Sequence, residues 1–313
     1  MLILFCLALL FFGGCGSDDD TPPPPQWNLN RLWPTGTNPV PSPAGDGVLF
    51  LQEEEPAGLY LLQSGAVVLV NPSGPAIRAD YAWCADGTRF AFSSPGVPGE
   101  GDAGIYVAQV ASPTVHEKIW DHGSHPRFLP GNEGLVFAGP EDGSDSEGLW
   151  LYSFTSETRT RLAVEGVSPV VSPSGLKIAY LIPGDRFGRI IVVLNRTSAA
   201  RDTLPGTVLR CTWLGDSERL IQEQGIEGVQ ELYWVRVGSG APALIGPGTY
   251  PAGLGAGQEF VYAGFDGDRL AGLFITTPAG SPARVSATGT RPSSAAPNRI
   301  LAQDSLGVFE LTR

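Results

Sequence analysis

The sequence predicts an all-β fold, a seven-bladed β-propeller, on three observations. One short pattern recurs with its third core residue at Val48, Phe90, Leu135, Ile178, Leu220, Phe260 and Ile300, about every 40–45 residues, which is the period of a four-stranded unit. Within each copy apolar and polar residues alternate, as in Gly148-Leu149-Trp150-Leu151-Tyr152, the period of a half-buried strand. No stretch after the first 25 residues combines helical periodicity with helix caps.

Each copy opens with a short first strand, a Pro/Ser/Gly turn and an alternating second strand, clearest in Ser168-Pro169-Val170-Val171-Ser172-Pro173-Ser174-Gly175-Leu176-Lys177-Ile178-Ala179-Tyr180. The turn position is Gly45, Gly87, Asn132, Gly175, Ser217, Gly257 or Asn298; Gly and Asn tolerate the positive φ of tight hairpins. A third strand centres on Tyr60, Tyr106, Trp150, Ile191, Tyr233, Phe274 or Phe309, and a more polar fourth strand follows in copies one to six. The seventh copy stops at Arg313 after its third strand. Its fourth is predicted at the other end, because Arg31-Leu32-Trp33-Pro34-Thr35-Gly36 matches Arg161-Leu162-Ala163-Val164-Glu165-Gly166 and Arg284-Val285-Ser286-Ala287-Thr288-Gly289. Asn30–Trp33 is therefore expected to pair with Val308–Leu311, which removes an open sheet edge. Copies five and seven are degenerate, so six blades with a stray hairpin is the alternative.

These copies resemble the TolB-type, WD-repeat-like propeller repeat, best in Trp83-Cys84-Ala85-Asp86-Gly87 and Val171-Ser172-Pro173-Ser174-Gly175. The resemblance covers residues 38–313. Propellers of this kind serve as binding scaffolds, periplasmic assembly proteins and protease side-domains, so it implies a fold and not one activity.

Leu2 to Phe12 is an apolar run followed by Gly13-Gly14-Cys15, too short to span a bilayer comfortably. It resembles a bacterial lipoprotein signal, although no Lys or Arg precedes Cys15. The resemblance implies a signal peptide over 1–14, a lipid on Cys15, an acidic and Pro-rich tether over 15–25, and one propeller domain over 26–313. Gly16 after Cys15 leans toward the periplasmic side of the outer membrane. The net charge of −12 argues against a nucleic-acid partner, which needs clustered Lys and Arg.

The residues just before the first strand's Pro-like position are Asn38, Asp80, His125, Ser168, Arg210, Tyr250 and Arg291. Strand parity places them around one mouth of the central channel. They differ in every blade, whereas the next position repeats as Pro39, Pro126, Pro169, Pro251 and Pro292, with Tyr81 and Cys211 as exceptions. Loops on the same face are acidic: Glu53, Glu54 and Glu55; Glu100 and Asp102; Glu141, Asp142, Asp145 and Glu147; Asp266 and Asp268. Either this is a negative rim that focuses a field on the mouth, or it is ordinary loop solvation.

No catalytic residue is singled out and no cofactor is expected. His122 and His125, with Asp121, are weak metal candidates, since they lack a fourth ligand. Glu141–Glu147 lacks the calcium-loop pattern. Cys84 and Cys211 are expected to be buried free thiols. The function this reading favours is a non-catalytic envelope lipoprotein that docks proteins at the channel mouth. Its alternatives are a propeller lactonase, lyase or hydrolase, or a binder of glycan or small ligands, at the same mouth.

Overall fold

The computed structural model describes residues 26–72, 80–94, 103–141, 147–184, 188–226 and 229–313. The leader, Cys15, the tether, Glu100, Asp102, Asp142 and Asp145 lie outside them. Among the described residues every regular element is a β-strand. Twenty-seven strands among the described residues form seven antiparallel blades of four, because one strand, Ala243–Gly253, serves two blades. Blade one runs from Gly36–Pro41 to Ala66–Pro72, blade two from Tyr81–Trp83 to Ser112–Trp120, blade three from Ser124–Phe128 to Thr158–Ala163, and blade four from Val167–Val171 to Arg201–Leu204. Ala243–Gly253 pairs its first half with Val229–Arg236 of blade five and its second half with Phe260–Asp266 of blade six. The two blades predicted as separate thus share one continuous strand.

Blade seven comprises Thr290–Ala296, Arg299–Asp304 and Gly307–Thr312, closed by the N-terminal strand Asn28–Trp33. The register matches Leu29 with Leu311, Asn30 with Glu310, Arg31 with Phe309 and Trp33 with Val308. Arg31 seals the seam from outside. Its Nη1 and Nη2 donate to Asp304 Oδ1 and Oδ2 at 2.5 and 2.6 Å, a bidentate geometry.

The apolar pattern resolves into seven clusters, each shared by two adjacent blades. Leu49, Leu51 and Leu59 of blade one meet Tyr81, Trp83 and Phe90 of blade two. The ring closes where Val48, Phe50 and Tyr60 of blade one meet Leu301 and Val308 of blade seven. Phe50, Phe90, Phe137, Phe260 and Phe309 are fully buried. Polar ties repeat with the same spacing. Trp83 Nε1 donates to Val40 O at 3.0 Å, and Trp213 Nε1 to Val170 O at 2.9 Å, both across 43 residues. The glycine that ends the recurring fourth-strand motif has a packing reason. A Cβ on Gly36 would lie 2.6 Å from the Phe50 ring, and one on Gly289 2.6 Å from Phe309.

Five first turns share one hydrogen bond, in which the amide of Gly45, Gly87, Asn132, Gly175 or Ser217 donates to the carbonyl three residues earlier. All five residues have positive φ. Ser217, the poorest sequence match, keeps the geometry, and its Oγ accepts from Ser174 N at 2.9 Å. Blades six and seven depart from the prediction. The left-handed residue of blade six is Gly255, at φ +63, rather than Gly257. Gly257 O instead accepts from Gly215 N of blade five at 2.9 Å, and Ala256 packs where a Gly215 Cβ would sit. In the shorter blade-seven copy Ala296 pairs directly with Arg299, and Asn298 keeps an ordinary φ.

Candidate functional site

The channel mouth is built on a repeated distortion. In every first strand except that of blade two the ladder slips by a bulge beside the mouth position. Asn38, His125, Ser168, Tyr250 and Arg291 sit there with φ between 48 and 54°, a region that side-chain-bearing residues adopt at a cost. These are the five copies followed by proline. Proline bars the preceding residue from the right-handed helical region and brings no N–H that a ladder must satisfy. Tyr81 and Cys211 replace it in blades two and five, and neither Asp80 nor Arg210 is left-handed.

The bulges bring four of the seven predicted mouth residues together. Asn38, Arg210, Tyr250 and Arg291 line an open cavity of about 390 Å³. The Arg210 guanidinium lies 3.9 Å from the Tyr250 ring centroid, and that of Arg291 lies 5.2 Å away. Arg291 Nη1 also donates to Asn38 Oδ1. Such stacking orients a guanidinium without neutralising it. Because Arg210 covers a face of Tyr250, that face is not open for a sugar to stack on.

Beneath this pocket lies Glu223, fully buried in the second strand of blade five. Its Oε1 accepts from Thr249 Oγ1 at 2.9 Å and its Oε2 from Tyr250 N at 2.8 Å. Oε2 is also 3.1 Å from Arg210 Nε, but the alignment is too poor for a hydrogen bond, and that buried Nε has no acceptor. Gln303 plays the matching part in blade seven, where its Oε1 accepts from Asn38 N of blade one. A polar second-strand residue therefore caps the left-handed mouth residue of the next blade at two places in the ring.

Asp80 and His125 form a second group. Asp80, 6 % exposed, has Oδ1 3.2 Å from His125 Nε2, and Ser93 N donates to its backbone carbonyl at 2.9 Å. Nearby Arg127 lines the inner channel. Desolvation there lowers its pKa from the ordinary arginine value, and the Asp80 charge opposes that shift. Ser168 shares the left-handed backbone but lines neither the mouth cavity nor the channel cavity.

The inner channel, about 600 Å³, is walled by the first strands, including Tyr81, Arg127, Cys211 and Ser293. The Tyr81 hydroxyl donates to Asn38 O, and burial pushes its phenol well above the usual range. Cys84 is buried as expected, whereas Cys211 is only half-buried, because first strands face the channel. Desolvation there pushes the Cys211 thiol up to about 12. His122 and Asp121 are exposed. Lys118 Nζ pairs with Asp121 at 2.5 Å and holds its carboxyl below the usual range. Among the described residues no three His, Cys, Asp or Glu side chains are grouped to hold a metal ion. Glu53, Glu54, Glu55, Asp266 and Asp268 are exposed, while Glu141 pairs with Arg161 at 2.5 Å.

The sequence contained a signal for Glu223 that the repeat pattern obscured. Where other second strands carry Phe50, Phe92, Phe137, Tyr180 and Tyr262, blade five reads Gln222-Glu223-Gln224, and all three are buried.

No protein-family model and no curated protein matches the sequence. Solved structures do match. An oligogalacturonate lyase from Vibrio parahaemolyticus is 12 % identical, with 92 % of this chain and 97 % of that one covered at a TM-score of 0.67. The WD40 repeats of RRP9 are 10 % identical, with 92 and 97 % covered at 0.63. TolB from Acinetobacter baumannii is 14 % identical at 0.52, over 88 % of this chain and 62 % of its own length. The fold is that of the TolB-like and WD-repeat propellers. At such identities the likeness concerns the path of the chain and not its chemistry.

Proposed function

We propose that this protein is a non-catalytic lipoprotein of the bacterial envelope that docks a protein partner on its channel-mouth face. The observation that carries this reading is the pocket of Asn38, Arg210, Tyr250 and Arg291. Its side chains differ from blade to blade, yet Asn38, Tyr250 and Arg291 stand on the same left-handed backbone. Varied side chains on a repeated backbone suit recognition. The lipid on Cys15 would fix the ring at the periplasmic side of the outer membrane, with residues 15–25 as its tether.

A photo-crosslinking residue placed at Asn38 or Tyr250 in cells tests the docking reading, with Leu176, exposed on a first turn at the opposite face, as control. The mouth positions should give one discrete adduct and Leu176 none; equal labelling from both faces rejects it. Metabolic labelling with an alkyne fatty acid should mark the chain and spare Cys15→Ser.

A second reading, a propeller enzyme at the same mouth, is motivated by the pairing of the buried Asp80 carboxylate with His125 Nε2 at 3.2 Å; an oligogalacturonate lyase of similar fold was solved in complex with manganese. His125 beside Asp80 would be its base. Metal analysis of protein purified without chelators, followed by turnover assays with acidic oligosaccharides, separates the two readings.

A further inference from the structure

We propose that the Arg210–Tyr250–Arg291 pocket receives one carboxylate, the side chain of an Asp or Glu on the partner protein; this rests on the reading that the mouth docks a protein. The first argument is charge. Arg210 and Arg291 bring two positive charges to one tyrosine ring. Glu223, counted as a carboxylate, returns one negative charge from below. The pocket is left with a single positive charge in a chain whose net charge is −12. A monoanion balances it, and a dianion exceeds it.

The second argument is hydrogen bonding. Both Glu223 oxygens already accept, from Thr249 and Tyr250. Arg210 Nε is buried against Glu223, while among the described residues no hydrogen bond engages its two Nη atoms, on a side chain that is 41 % exposed. Arg291 has one hydrogen bond, to Asn38, among the described residues. The forks therefore keep N–H donors for a ligand, and a carboxylate is the planar acceptor that matches a guanidinium.

The third argument comes from comparing blades. Capping a left-handed mouth residue does not require a charge, because neutral Gln303 caps Asn38. Glutamate in the corresponding place of blade five therefore sets the pocket's charge as well as its shape. The exposed Glu53, Glu54 and Glu55 lie on a loop of the same face, so the acidic residue of the partner should be flanked by basic ones.

The test uses the full chain and blocked five-residue peptides, Gly-Lys-X-Lys-Gly, with X as Glu, Gln or phosphoserine, plus a uronic acid and inorganic phosphate, read by titration calorimetry. The Glu peptide should bind at least roughly tenfold more tightly than the Gln peptide, the scale of a charge-assisted pair. Arg291→Gln should erase that ratio and Arg291→Lys restore part of it. Glu223→Gln keeps the cap and adds one positive charge, so preference should move from Glu toward phosphoserine. Equal binding of Glu and Gln peptides by the unmodified protein overturns the carboxylate assignment, even where mouth crosslinks still capture a partner. Selective Glu binding without mouth crosslinks instead overturns the docking reading. A uronic acid that binds as tightly as the Glu peptide overturns the assignment to a protein side chain.

Discussion

A carboxylate removed from water must be answered by its neighbours, and Glu223 is answered by a hydroxyl, an amide and a guanidinium. Replacing it separates its structural role from its electrostatic one. Glu223→Gln can still accept from Tyr250 N, as Gln303 does from Asn38 N, and should cost about 1 kcal/mol. Glu223→Leu strands the Thr249 hydroxyl, the Tyr250 amide and the half-exposed Arg210, and should cost about 3 kcal/mol. Urea denaturation of the two variants decides the matter; equal losses would mean that Glu223 acts by filling space. This residue also marks the limit of what the sequence discloses. The four residues that line the mouth cavity were among the seven singled out, because a position that varies beside one that repeats stands out in a single chain. The caps were not, since a cap joins one blade to the next, and Gln303 and Asn38 are 265 residues apart.

At the level of the element, the first strand is where periodicity and geometry part. The repeating proline was visible in five copies, but alternation predicts an extended strand there, not a bulge with a left-handed residue. At Asn38, Tyr250 and Arg291 the bulge turns one side chain out of the ladder and into the mouth. Ser168 isolates this effect, because it shares the backbone at φ 50° and lines neither cavity. Ser168→Gly should stay within about 0.5 kcal/mol of the parent, since glycine accepts positive φ but loosens the unfolded chain. Ser168→Val should lose about 1–2 kcal/mol, as a β-branched residue is poorly suited to that region. Thermal unfolding of the pair is the measurement, and a valine variant as stable as the glycine one would contradict a left-handed requirement at this position. The turn of blade six teaches the same lesson from the other side. Gly257 had the right spacing, yet Gly255 took the left-handed turn because the chain packs against Gly215 of the neighbouring blade, a contact that no local pattern encodes.

For the whole molecule, stability depends on a seam. Six blades are continuous in the chain, and the seventh is completed by Asn28–Trp33, whose Asn28 to Arg31 are exposed and whose Leu32 and Trp33 are only partly buried. That closure was the most legible long-range feature, because a missing fourth strand at one end matched a surplus segment at the other. The strand contributes little apolar burial of its own, so the Arg31–Asp304 pair that holds it is the point at which closure can be titrated. Arg31 holds the Asp304 carboxyl below the usual range. A carboxylate with a lowered folded pKa contributes stability that is complete above its unfolded value and is lost as pH falls through its folded one. Protection of the Leu29–Trp33 amides from hydrogen exchange, corrected for intrinsic rates, should therefore hold at neutral pH and fall once the solution is acidified below the ordinary carboxylate range. Asp304→Asn should lower that protection already at neutral pH and flatten its acid dependence. Deleting residues 26–34 goes further and bares the edge of Gly307–Thr312, a template for pairing with another chain. Sedimentation of the deleted protein should show dimers or larger species where the parent sediments as one smaller species. A deletion variant that sediments and unfolds like the parent would mean that the ring does not need its N-terminal strand to close.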